Sequence, residues 1–241
     1  MTVCLRVRDK GGPGRLHGPV SILFFETQKP TQTLHKDKFS YRTIASPAQG
    51  SYREKGSRFL AYAYPVNNEV AIREHLATLE KKYFDARHQC YAWMLGTDKT
   101  SFRAFDDGEP NHSAGDPILG QIRSRDLTNL LVVVVRYFGG IKLGVGGLAS
   151  AYKSAAEDAL NHAMIIVKEI GLSISLIYDY AATPEVMRLV KEFDLHIIAQ
   201  KFEAECELVG HYRLRDKEKL FERMELLIAR GVKVRYESAQ K

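Results

Sequence analysis

The sequence predicts an α+β protein, and three observations carry that prediction. Apolar residues recur at every second position in some stretches and at every third or fourth in others, the spacings of strands and helices. Residues 130–135, LLVVVV, are apolar on both faces, as a strand covered by two layers is. The last third places its strand and helix patterns in the order β-α-β-β-α-β, the split ferredoxin-like arrangement.

Residues 1–37 are dominated by Gly, Pro, Thr and Lys, with one apolar patch at 22–25, and read as an irregular N-terminal extension. Order is expected from about Tyr41. SRFLAYAYPV (57–66) has the content of a strand, stopped by Pro65. Asn68 can cap a helix on which Ile72, Leu76, Leu79 and Tyr83 share one face. HQCYAWML (88–95) and TSFRAF (100–105) are two more strands. A polar loop leads to a short helix over 118–124, with Pro117 in its first turn. After the covered strand and a glycine-rich turn, Leu148, Tyr152, Ala155 and Ala159 form a helix face small enough to approach a sheet closely.

Leu172, Ile174, Leu176 and Tyr178 alternate as a strand, and Thr183 with Pro184 is expected to supply an N-cap and N1. Val186, Leu189, Val190 and Phe193 mark the helix that follows; 195–199 is a short strand. Ala204, Cys206 and Leu208 alternate with glutamates in another strand. Leu220, Phe221, Met224, Leu227 and Ile228 mark a second helix, stopped by Gly231, and Val232, Val234 and Tyr236 a last strand. The expected domains are 38–168 and 169–241.

The net charge of +6 is compatible with RNA or the ribosome as partner. Cys4, Cys90 and Cys206 are too scattered for a disulfide framework or a metal site, and a reducing cytoplasm is expected. No apolar run approaches the ~20 residues that cross a bilayer, so no membrane partner is expected. No catalytic residue, metal set or cofactor is assigned.

VVVVRYFGGIKLGVGGLASAY (132–152) raises the sharpest functional question. A strand, a glycine turn and a helix start is a common way to build an anion site. It is not a P-loop, because Val145 stands where lysine is required. Arg136 at the strand end either meets Asp106, Asp107 or Glu109, or faces a ligand. Lys142 sits on the turn and is expected to be free. The carboxylates of Asp106, Asp107 and Glu109 could hold Mg²⁺, although their loop is also rich in ordinary turn formers. His88 and Cys90 share a strand face, yet a small buried thiol explains Cys90 more simply.

FDDGEPNHSAGDPIL together with the glycine stretch resembles the N-terminal domain of the bacterial YigZ and eukaryotic IMPACT proteins. KGSRFLAYAYPV and ARHQCYAWMLG match in the same order, so the likeness spans about 41–165; about 171–237 is similar to the second domain of the bacterial members. The resemblance implies a first domain of the type seen in a small-subunit ribosomal protein and in domain IV of the translocation elongation factor, followed by a ferredoxin-like domain. It also implies a role in translational control. The family's loop usually reads DDGEPSGTAGRPIL; here Asn111, His112 and Ser113 replace Ser-Gly-Thr, and Asp116 replaces arginine. Ser150 stands where the helix usually carries arginine.

The resemblance implies a translation-associated protein that regulates initiation, and with the basic charge the expectation is that it binds RNA or the ribosome. Its contacts would be Arg136, Tyr137, Phe138, Gly139, Gly140, Lys142, Gly144, Gly146 and Gly147, with Arg53, Lys55 and Arg58 from YREKGSR. Asp106, Asp107 and Glu109 would form a supporting acidic loop. The alternative is an enzyme that binds a nucleotide or phosphometabolite at the glycine loop, with Mg²⁺ on those carboxylates. A protein partner is expected through the C-terminal domain.

Overall fold

The computed structural model of the chain describes residues 37–238; the expected extension therefore falls, except for Asp37, outside the described residues. Three sheets and five α-helices make up the α+β architecture of that span.

The largest sheet has five antiparallel strands: β2 (Ala48–Glu54), β3 (Ser57–Pro65), β4 (His88–Leu95), β5 (Ser101–Phe105) and β6 (Leu130–Tyr137), in the order β2-β3-β6-β4-β5. β6 is central, and its run of valines is divided by the pleat. Leu130, Val132 and Val134 enter a core shared with α2 (Gly115–Ser124) and α3 (Gly144–His162). Leu131, Val133 and Val135 enter a second core under α1 (Glu69–Lys82). The strand is apolar on both faces because helices cover both.

Asn68 caps α1 as expected, its side chain accepting from the Ala71 amide at 2.9 Å. The alanines of α3 admit a close approach to β2: a Cβ added at Gly50 would lie 2.2 Å from the Ala159 amide nitrogen. β1 (Ser40–Ile44) and β7 (Ile165–Glu169) pair antiparallel in a two-stranded sheet that the sequence patterns did not reveal.

The C-terminal elements are β8 (Gly171–Tyr178), α4 (Thr183–Glu192), β9 (His196–Phe202), β10 (Cys206–Arg213), α5 (Lys217–Ala229) and β11 (Val234–Ser238). Their sheet is antiparallel in the order β11-β8-β10-β9. One face is packed by Val186 and Leu189 of α4 and by Leu220, Met224 and Leu227 of α5. Local expectations change here, among them Val232, which lies before β11. Thr183 does not cap α4: it is the first helical residue after a 3₁₀ turn, and its hydroxyl donates to the Tyr180 carbonyl at 2.6 Å. Ala204 lies outside β10, which begins at Cys206.

Candidate functional site

The residues singled out in the sequence collect at one end of the five-stranded sheet, where β2 turns into β3 and β6 runs out. Lys55 and Gly56 make the two-residue β2–β3 turn with φ of 45° and 81°, the backbone of a tight right-twisting hairpin. The register sets Arg53 directly opposite Arg58, and Arg58 opposite Tyr137. Both arginines are exposed, and neither guanidinium makes a hydrogen bond or ion pair with any described residue. Like charges facing each other across strands destabilise a hairpin unless an anion lies between them.

The loop after β6 is fastened to this turn. The Gly139 amide donates to Ser57 Oγ at 3.1 Å, and a Cβ at Gly139 would lie 1.9 Å from the Gly56 carbonyl carbon. Only glycine fits there. Gly140 and Gly144 have φ of 87° and 71°, a backbone that glycine adopts without strain. α3 then begins with no side-chain cap and no acidic residue in its first turn. Gly144, Val145 and Gly146 are exposed, and nothing lies within 4 Å of a Cβ built on Gly140, Gly144 or Gly146. The first amides of an uncapped helix start have no intrahelical acceptor. Lys142 is exposed and makes no ion pair among the described residues. Phe138, Ile141 and Val145 are exposed beside it.

Arg136 has no part in that outer surface. It shares the pleat phase of Leu130, Val132 and Val134, which turns it inward. Its Nη1 donates to Glu109 Oε1 at 2.6 Å, with the two side chains only 7% and 4% exposed. Tyr152 donates to the same carboxylate oxygen at 2.8 Å. The Arg136 guanidinium lies 5.5 Å from the Phe59 ring centroid and 5.6 Å from that of Phe138. Of the two readings open in the sequence, the internal ion pair is the one found. Tyr137 is also engaged, donating to Asp85 Oδ1 at 2.7 Å on the α1 side of the sheet.

Nor do the acidic residues gather into an oxygen cage. Asp106 accepts from the amides of His112, Ala114 and Gly115 at 2.8–2.9 Å and so organises the start of α2. Burial alone would raise its carboxyl, but these amides outweigh burial and hold it below the usual range. Asp107 accepts from the Gln89 amide at 2.7 Å, and Glu109 holds Arg136. Among the described residues no three His, Cys, Asp or Glu side chains form a metal set. The Cys90 thiol lies 3.0 Å from the Asp106 carbonyl and 3.3 Å from the Tyr152 hydroxyl. Burial pushes the Cys90 and Tyr152 protons far toward retention, so neither group offers an anionic nucleophile. His88 turns instead to the Asp107 carbonyl at 2.8 Å.

Sequence patterns missed two features of this surface. Ser57 carries no distinctive motif, and its fastening role follows from the approach of β3 to the Gly139 loop. Ile141 is exposed in the loop and Val145 in the first turn of α3, because the helix takes in Gly144, Gly146 and Gly147 of the glycine stretch. No helix among the described residues is long and apolar enough to cross a membrane.

Comparison with known proteins gives concordant likenesses. Residues 55–160 match the family model described as the Impact N-terminal domain. The chain is 32% identical over 153 residues to IMPACT family member YvyE of Bacillus subtilis, covering 64% of this chain and 70% of that one. It is 32% identical over 167 residues to IMPACT family member YigZ of Escherichia coli, covering 68% and 82%. A Saccharomyces cerevisiae protein named Protein IMPACT homolog is 31% identical over 134 residues, covering 51% and 49%. A crystal structure described only as a hypothetical protein superposes with a TM-score of 0.67 at 26% identity, over 84% of this chain and 98% of that one.

Proposed function

The chain belongs to the IMPACT family, and on that premise we propose that it is a translation-associated regulatory protein that binds RNA or the ribosome. The contact surface is the hairpin and glycine loop at one end of the five-stranded sheet. The observation that carries this reading is the placement of Arg53 opposite Arg58, without a carboxylate, beside a loop fastened to their turn. A phosphate between the two guanidiniums turns their repulsion into two charge-assisted contacts. Lys55 at the turn would extend this surface, while Lys142 and the first amides of α3 lie toward the other face of the sheet and would meet a backbone that passes around the sheet end. Phe138, 50% exposed, supplies a face on which a base can stack. Arg136 acts behind this surface by supporting Phe138.

The finer fold assignment belongs to the same proposal. The order β11-β8-β10-β9 supports a ferredoxin-like domain over 169–241. The five-stranded sheet supports a first domain over 38–168 of the ribosomal-protein and elongation-factor domain IV type.

Ribosome co-sedimentation and RNA filter binding test the function. The triple variant Arg53→Ala, Arg58→Ala, Lys142→Ala is expected to bind more weakly at every salt concentration. Its dependence of log affinity on log salt should be shallower by about 2–3. Unchanged co-sedimentation in the triple variant overturns the reading. The uncapped start of α3 favours one competing ligand, a phosphorylated small molecule. A thermal shift of several degrees with a single nucleotide, absent in the same variant, selects that competitor.

A further inference from the structure

Helix α5 uses one side to pack the C-terminal core, and no other described residue covers its outer side. Its outer side holds a shallow groove floored by Phe221, Leu226 and Ala229 and rimmed by Glu218, Glu222 and Glu225. Leu226 is 51% exposed beside Phe221 and Ala229. Phe221 is fixed by stacking on Tyr236, with ring centroids 5.2 Å apart and planes 16° apart. The Tyr236 hydroxyl holds Glu225 at 2.8 Å, so floor and rim are braced by the same tyrosine.

The charges on this rim are unbalanced. The carboxylates of Glu218 and Glu222 are exposed and make no ion pair or hydrogen bond with any described residue. Arg223 on the same helix is drawn away to Glu192 at 3.4 Å. Lys217 lies 5.8 Å from the Phe221 ring centroid, and Lys219 and Arg230 are exposed at the edge of this face without an ion pair to the rim glutamates. An acidic rim on a chain of net charge +6 repels a polyanion and attracts a cation.

We propose that this face of α5 docks a basic amphipathic helix from a partner protein. Apolar residues of that helix would cover Phe221, Leu226 and Ala229, while lysines or arginines would meet Glu218 and Glu222. This is the helix-in-groove mode, with electrostatics setting which partners are admitted. The site is independent of the arginine hairpin, and the nucleic-acid reading can fail without affecting it.

The test is fluorescence anisotropy of a labelled Lys/Leu amphipathic helical peptide against the full chain. A Glu/Leu peptide of the same pattern is the control. Saturable binding of the Lys/Leu peptide alone is expected. Glu218→Lys with Glu222→Lys should weaken it at least about tenfold. Leu226→Asp should weaken it comparably with an unchanged melting profile, and Arg53→Ala with Arg58→Ala should leave it intact. Equal binding of both peptides, no saturable binding, or full affinity in both α5 variants overturns the proposal. So does a dimer in light scattering that Leu226→Asp converts to monomer, because the occupant is then a second copy of this chain.

Discussion

Arg136 carries its charge where solvent barely reaches, and that decides how its substitution should behave. Arg136→Met leaves Glu109 buried and uncompensated, which costs on the order of 3–5 kcal/mol. Adding Glu109→Leu removes the stranded charge and should recover much of the loss; urea unfolding of the two variants measures the difference. A role at the outer surface predicts otherwise, with stability little changed and RNA affinity lost. Asp106 gives a pH-dependent counterpart. Its carboxyl is held below the unfolded value of 3.8, so its contribution is present above that pH and is lost as pH falls through the folded value. Asp106→Asn should cost about 1–2 kcal/mol at neutral pH, an amount reduced by partial exposure to water. The gap from the parent should close in acid, as unfolding midpoints across a pH series would show. Its neighbour His112 sits at φ 63°, in the left-handed region that favours glycine. His112→Gly should relieve left-handed strain and raise stability by up to about 1 kcal/mol, read from the same unfolding curves, offset in part by the lost contact with Asp116.

Elements were legible where burial leaves a local pattern. β6 could be read because helices cover both its faces, and β8 because only one of its faces is packed. β2, with the sequence AQGSYRE, is half-exposed along its length and has no apolar alternation to betray it. β1 and β7 find each other across more than a hundred residues, a pairing that no local window contains. The candidate site divides in the same way. Its glycines and cations stand out in the sequence, whereas Arg53 facing Arg58 is a fact of strand register. The inward turn of Arg136 was available from its phase with Leu130, Val132 and Val134. The seat of β2 on α3 supplies an element-scale prediction. Gly50→Ala drives a methyl group to 2.2 Å from the Ala159 nitrogen, and backbone cannot yield as a side chain can. The cost should reach at least the ~1–3 kcal/mol of ordinary overpacking. Amide exchange should quicken along β2 and α3 while β8 and β10 keep their protection.

At the scale of the whole molecule, the buried residues of the five-stranded sheet and those of the C-terminal sheet belong to separate cores. Among the described residues, the links between them include exposed ion pairs and a backbone bond. Arg215 reaches Glu169 at 2.7 Å and Asp37 at 3.3 Å, and Arg213 reaches Glu169 at 3.8 Å, all between side chains 40–43% exposed. Pairs so open to water contribute at most about 1 kcal/mol each and weaken with salt. The Leu214 amide adds one backbone bond to the Ile170 carbonyl at 2.8 Å. Coupling this weak predicts two cooperative units dividing near residue 169. Leu130 and Leu176 are both fully buried, one in each core, and replacing either by alanine should cost its own unit about 2–5 kcal/mol. In calorimetry Leu130→Ala should lower one transition and Leu176→Ala the other, with added salt drawing the two further apart. If either substitution lowers a single shared transition by the same amount, the interface between the cores is stronger than its ion pairs imply. Residues 37–238 then unfold as one body.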